Sequence, residues 1–546
     1  MNLISSWRPS ELPDSWAPTH GWALARVLAV VVILVVAGYA GLERVPRLSE
    51  AARRIGRRVL LAVLGVAAVL SVFTYVDFGV FRYGTYLNEW DFYHYYVGTK
   101  YAPELGYSNL YGATLAADQE GGLRYQNPRH EMRDLHTAQI CDVDREAAQA
   151  ALYRGRFSDG RWREFVADIS WFKMQLPANR WSLILADHGY NGTPAWSFVV
   201  GNLVTRHLSI RHPASRALML ALDPLLLLAS VAAVAWAFGL RTAFVMMIFI
   251  GTHYLMSWGH LKGALLRTDF ALCSVLAVCL VKKGRYRIAG ILLGWAILSR
   301  IFPVFFLVGP GVLFLWQLFR GRSINRQLLG LLVACAATVV VVVLGSCAFF
   351  GGTGIWHEWS RKIALHYADG SDWDLGYRII AEASFIKGVP IRSSAQAVAT
   401  HFLGSPASGV VLLLLLPALT FIRGLEDYEA LAYGFVFVFL LTLASYYYYL
   451  VLCVPLLFFA PQLERPQNAL GVAFMFFTGI MGYVLFSGWD ALAGSWPMFR
   501  GWRQMFPTTY YLCCFITLTL AQMILLAGTR ARRRKQPSHA APQPQT

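Results

Sequence analysis

Residues 86 to 101, Tyr-Leu-Asn-Glu-Trp-Asp-Phe-Tyr-His-Tyr-Tyr-Val-Gly-Thr-Lys-Tyr, place two acids, Glu89 and Asp91, among aromatic side chains and one histidine. Asp91 is flanked by Trp90, Phe92, Tyr93, Tyr95 and Tyr96. Partial burial in such company raises a carboxyl pKa and suits the group to taking a proton from a hydroxyl. The ordinary alternative is an acid that caps a surface helix or pairs with Arg82 or Lys100. Arg300 ends the apolar run that starts at Ile291. Its fixed charge suits bidentate contact with a phosphate, unless it only snorkels to the interface. His260, Lys262 and Arg267 flank the loop before Asp269, and His366 and Asp372-Trp-Asp374 lie in a later polar stretch. Tyr446 to Tyr449 form an aromatic run of the kind found at membrane interfaces.

The rest of the chain is membrane-like. Of its 546 residues, 56% are hydrophobic and 14% charged, with mean hydropathy +0.46; a soluble chain carries roughly 25% charged residues. Apolar runs of about 17 to 24 residues recur, long enough to cross a hydrocarbon core. The net charge of +17 gathers as arginine in short loops and in the tail. The polar block 81–190 is close to neutral, with 12 Lys/Arg against 14 Asp/Glu. The charge therefore reads as a topology determinant, and no nucleic acid is expected. Of eight cysteines only Cys141 lies in the polar block, so no disulfide framework is expected there. The first apolar run lacks a cleavage site and precedes six arginines between 44 and 58, which suits a retained helix.

The expected fold is an all-α polytopic bundle of about 13 transmembrane helices with a large, partly helical outer loop. Residues 1–58 form an extra N-terminal helix and a basic cytoplasmic loop. Residues 59–350 form the main membrane module, including outer loop 81–190. A second outer loop spans 351–405, further helices span 406–529, and 530–546 is a basic disordered tail. Expected spans are 22–41, 59–80, 217–239, 242–258, 264–281, 288–299, 303–319, 327–350, 406–422, 429–447, 449–461, 467–488 and 508–528. Segment 193–205 is a partial or re-entrant piece that does not cross. This arrangement keeps every basic loop on one side. Charges within or near the spans are Asp77, Asp223, Lys262, Arg267, Asp269 and Arg300. All except Asp223 fall toward the outer face, with Glu89 and Asp91. A charge in lipid marks a site by default.

Trp90-Asp91-Phe92 with Tyr95-Tyr96, the segment Arg267-Thr268-Asp269, the run 289–303 ending in Ser-Arg-Ile-Phe-Pro, Lys362 to His366 with Asp374-Leu-Gly-Tyr377, and Ser445 to Tyr449 with Pro455 occur in this order. Together they resemble the GT-C superfamily of polytopic glycosyltransferases, in particular the bacterial branch of polyprenol-phosphate-mannose-dependent mannosyltransferases. The likeness covers roughly residues 60 to 460. The chain departs from it in its extra first helix, its long first outer loop and Arg300 where lysine is common. The resemblance implies inverting transfer of mannose or another hexose from a polyprenyl-phosphate donor to a glycan, lipid or protein acceptor. The implied place is the outer (periplasmic) face of a bacterial inner membrane. Asp91 would be the catalytic base, supported by Glu89, Tyr95, Tyr96 and Asp269. Arg300, Lys262, Arg267 and His366 would hold the donor phosphate. No cofactor is expected; Glu89 and Asp269 are the two acids a divalent metal would find, without a full ligand set. A transporter or flippase of lipid-linked saccharides and a non-catalytic envelope assembly protein are the alternatives. No internal repeat supports a transporter. No phosphate-binding loop, dinucleotide fingerprint, zinc spacing or serine elbow is present in its required context.

Overall fold

The computed structural model describes residues 20–76, 78, 86–122, 125, 130–257, 262–369, 374–384, 401–493 and 505–533. Asp77, Arg82, His260, Asp372 and the tail beyond 533 lie outside them. The fold is all-α: apart from two short two-stranded pairings, the regular elements are helices.

Eight helices among the described residues are long and apolar enough to cross a membrane. They are Gly21–Leu42, Glu50–Tyr75, Pro213–Phe238, Phe302–Gly321, Arg326–Phe349, Pro406–Gly424, Pro466–Ser487 and Thr508–Arg533. Each matches an expected span to within a few residues at the ends, except that the second starts nine residues early. Among the described residues the structure thus supports eight of the 13 expected spans. In the other five, apolar residues fill the run but the helix is short or interrupted. Leu240–Thr252 stops where His253 turns extended. The run at 264–281 becomes helical only at Asp269. Tyr286–Ser299 has 14 residues. The stretch 429–447 divides into Asp427–Tyr433 and Phe435–Leu441 at Gly434, where a Cβ would lie 2.5 Å from the Cα of Phe306. The stretch 449–461 is one seven-residue helix, Cys453–Phe459, between 3-10 turns. Broken backbone at membrane depth is tolerated where protein rather than lipid surrounds it. That condition holds here, because Tyr428 to Leu440 and Tyr449 to Ala460 are almost wholly buried. Segment 193–205 is the seven-residue helix Pro194–Val200 followed by the π-turn Gly201–Thr205. At about 1.5 Å per residue it is too short to cross.

Two hydrophobic cores result. The larger runs through the bundle, where Trp22 of the first helix meets the rings of Tyr254, Tyr483 and Phe486. The smaller and more aromatic core fills the block from Phe92 to Ile210. At its centre Asp168, fully buried, accepts from Lys100 Nζ at 2.7 Å, Tyr101 Oη at 2.9 Å and Arg211 Nε at 3.0 Å. The long polar insertion is thus a folded unit.

Helix Tyr286–Ser299 lies closely on Arg326–Phe349 through Gly290 and Gly294, four residues apart on one face. A Cβ at Gly290 would press into the Leu331 carbonyl. Gly290→Ala is expected to cost about 1–3 kcal/mol, as overpacking does. Gly311→Ala, which meets no atom within 4 Å, is the control. A thermal melt in detergent that shows no difference between the two would contradict this packing.

Candidate functional site

The first polar block opens on Asn88, whose Oδ1 accepts from the Asp91 amide at 3.2 Å and caps the turn Glu89–Phe92. The Asn88 amide donates to the Gly263 carbonyl at 2.9 Å. Gly263 has φ +65, and a Cβ there would collide with the Tyr86 carbonyl, so only glycine permits this approach. The turn carrying Asp91 is thereby stapled to the loop carrying Arg267.

After Phe92 the chain passes through a π-turn, Tyr93–Val97. Such wide turns are frequent at functional sites. This one sends neighbouring tyrosines in different directions. Tyr95 faces two arginines: the Arg267 guanidinium lies 3.9 Å from its ring centroid and that of Arg300 5.6 Å. Tyr96 instead accepts from Lys100 Nζ at 2.9 Å and from the Ile210 amide at 3.1 Å. It belongs to the Asp168 core and not to the company of Asp91. Adjacent residues on a helix do not share a face, so a pair such as Tyr95-Tyr96 cannot act as one.

Arg267 Nε meets Asp91 Oδ1 at 3.2 Å, with the arginine side chain 5% and the aspartate 13% exposed. Arg300 is the C-cap of Tyr286–Ser299, in extended backbone. Pro303 has no N–H to offer the Ser299 carbonyl. Arg300 Nη1 takes that carbonyl instead, at 2.6 Å, while Nη2 donates to Tyr95 Oη at 3.1 Å. Tyr447 and Tyr448 complete the cage, at 5.5 Å from the Arg267 guanidinium and 5.4 Å from that of Arg300. Arg267 Nη1 and Arg300 Nε are buried with no hydrogen-bond partner. Two like charges beside one ring, each with a donor to spare, form a pocket of positive potential suited to an anion.

Asp269 anchors this arrangement. Its Oδ2 accepts from Trp196 Nε1 at 3.2 Å and Trp295 Nε1 at 3.1 Å, and its Oδ1 from Ser299 Oγ at 2.7 Å and the Phe270 amide at 2.8 Å. Four donors on two oxygens suit a structural carboxylate better than a metal ligand. Among the described residues no group of three or more His, Cys, Asp or Glu is placed to hold a metal. Glu89 is buried in the first turn beside Asp91. Lys262 lies over the Tyr75 ring at 5.0 Å. It lines a small, largely apolar pocket with Leu227, Ile250, Met256, Thr268 and Leu272.

The His366 ring lies 4.6 Å from that of His188. It sits on helix Gly354–Asp369, which grips the first block by its main chain. Glu358 Oε1 accepts from the Tyr107 amide at 3.0 Å, and one turn later Lys362 Nζ donates to the Tyr107 carbonyl at 3.2 Å. Beside this contact Asp187 accepts from Trp90 Nε1 at 2.8 Å, and His94 lies between Trp90 O and Tyr111 Oη at 2.8 Å each. A carbonyl only accepts, so His94 Nδ1 carries the proton. Burial pushes His94 below its ordinary pKa. Asp187, His188 and Glu358 were not singled out from sequence, since each is a polar residue in an irregular or amphipathic stretch, and Lys362 entered only as the start of the Lys362 to His366 segment.

Burial brings Lys362 down to about 7 and His188 down to about 3. Both shifts favour the docked helix when these groups are neutral. The Lys362 contribution is lost as pH falls from its free value of 10.5 through about 7, and the His188 contribution as pH falls from 6.5 toward 3. Asp187, held below the usual carboxylate range against its own burial, chiefly by His94 and His188, has the same sign at still lower pH. Amide exchange in peptides from 354–369, corrected for intrinsic rates, is therefore expected to be faster at pH 5 than at pH 8. Equal protection at the two would contradict it.

No protein-family model, no curated protein and no solved structure matches the chain.

Proposed function

We propose that this membrane protein is an inverting glycosyltransferase that moves a sugar, mannose or another hexose, from a polyprenyl-phosphate donor to an envelope glycan, lipid or protein acceptor. The proposed setting is the outer face of a bacterial inner membrane. The observation that carries the reading is the Asp91–Arg267 pair sharing the Tyr95 ring with Arg300. A carboxylate and a two-arginine anion pocket in contact are what such a transfer needs. The acceptor hydroxyl attacks the anomeric carbon as the bond from that carbon to the phosphate oxygen breaks. The proton passes to Asp91, and the lipid phosphate leaves with the bonding pair toward Arg267 and Arg300. Lys262, over the Tyr75 ring in a pocket it shares with Thr268, is assigned to the same phosphate. Asp269 supports the pocket by fixing Ser299 beside Arg300, and His366 belongs to the docking of the 354–369 helix rather than to the phosphate.

The test is transfer itself. Membranes containing the chain, given polyprenyl-phosphate mannose labelled in the sugar, are expected to form a labelled product that membranes of a deletion strain do not. Labelled donor that crosses the bilayer without forming product would favour a carrier, and envelope glycans unchanged on deletion would count against the enzyme.

A further inference from the structure

Arg267 owes its place to an elbow in the backbone. Residues 262 to 268 form no helix, and Leu266 adopts φ +47, a conformation a residue with a side chain rarely takes. The N-terminal side of the elbow is stapled through Gly263 and Asn88. Its C-terminal side is held from another helix altogether. Asp223, in the middle of Pro213–Phe238 and almost wholly buried, directs both oxygens at it. Oδ2 accepts from the Arg267 amide at 2.9 Å, and Oδ1 accepts from the Thr268 amide at 3.1 Å and from the Thr268 hydroxyl. Three buried donors meeting one carboxylate need an acceptor with two oxygens. An apolar contact would join the two helices as well, but it would leave the donors orphaned and the left-handed residue free to relax. Relaxation of Leu266 reorients the next peptide and with it the Arg267 side chain.

We propose that Asp223 is a positioning residue, which holds the strained 262–268 elbow so that the Arg267 guanidinium meets Asp91 and the Tyr95 ring. The proposal rests on the glycosyltransferase reading of this site. Asp223→Asn separates it from simple helix packing. The amide keeps the size and one acceptor oxygen, but its NH2 would face the Arg267 N–H, donor against donor. Leu266→Gly then supplies a residue that adopts positive φ without strain.

With labelled polyprenyl-phosphate mannose and wild-type membranes as the reference, Asp223→Asn is expected to lower the transfer rate about tenfold or more, as misplacement of a positioned group does. The double variant Asp223→Asn/Leu266→Gly is expected to regain at least about threefold of that loss, because glycine removes the bias against the elbow. Amide exchange adds a readout that needs neither substrate nor a folded variant: in the wild type the Arg267 and Thr268 amides are expected to be protected. Rapid exchange there, an Asp223→Asn rate within about twofold of wild type, or a double variant no better than the single overturns the positioning role. Protected amides with no transfer by the wild type would overturn the glycosyltransferase reading and leave the elbow intact.

Discussion

Asp91→Asn is expected, on the proposed glycosyltransferase function, to lower sugar transfer by about 10²–10⁴-fold while the protein still folds into the membrane, the range a lost general base produces. The change is isosteric and leaves the Asn88 cap on the residue 91 amide in place. Asparagine can still accept from Arg267 through its oxygen, so the arginine keeps a partner. What it cannot do is take up a proton as the acceptor oxygen attacks. Asp91→Glu keeps the charge and moves it by one methylene, and a smaller loss of about 10–100-fold is expected, since geometry rather than chemistry is then at fault. Rates with a fixed donor concentration and a thermal melt of each variant decide the matter. An asparagine variant that transfers within twofold of wild type would remove Asp91 from the chemistry.

Arg300→Gln is expected to reduce transfer by about 10²–10³-fold, the cost of losing one preorganised donor to a developing charge. Its effect on stability should be smaller than that of losing Arg267. Arg300 makes hydrogen bonds to the Ser299 carbonyl and Tyr95 hydroxyl, and its Nε has no hydrogen-bond partner. The Ser299 carbonyl and the Tyr95 hydroxyl are neutral partners, so losing Arg300 strands no buried carboxylate. Arg267→Gln is the contrasting case, because it takes the ion-pair partner from Asp91. A lower melting temperature for Arg267→Gln than for Arg300→Gln, with both inactive, is the expected pattern. The reverse order would mean that Arg300, and not Arg267, is the structural member of the pair.

The membrane character, all eight long helices and the short 193–205 segment are legible in the sequence, because length and composition decide them. The short or interrupted helices of five further apolar runs are not. The interruption at Gly434 depends on its meeting the 302–307 backbone and the late helix start at Asp269 on the left-handed turn at Leu266, neither of which alters hydropathy. At the site, Asp91, Tyr95, Arg267 and Arg300 are legible as residues that come together, and Asp269 as one that supports them. Tyr96 is misplaced for want of the helical phase across the π-turn. Asp223 is visible as a charge inside an apolar helix, but its partners are backbone amides of residues 267 and 268, which no side-chain pattern announces.

The short helices also bear on how the chain enters a membrane. Leu240–Thr252, Asp269–Lys282 and Tyr286–Ser299 have 13, 14 and 14 residues, which rise about 20 Å against a hydrocarbon core of about 30 Å. None is a self-sufficient insertion unit. Asp269–Lys282 is almost completely enclosed by protein in the finished fold, so it gains its environment only when its neighbours are present. Biogenesis of this part of the protein is therefore a collective event, in which residues 286 to 299 wait for the 302–321 and 326–349 segments they pack against before they have anywhere to go. Chains truncated between these points should be cleared by quality control, with no accumulation of partial bundles.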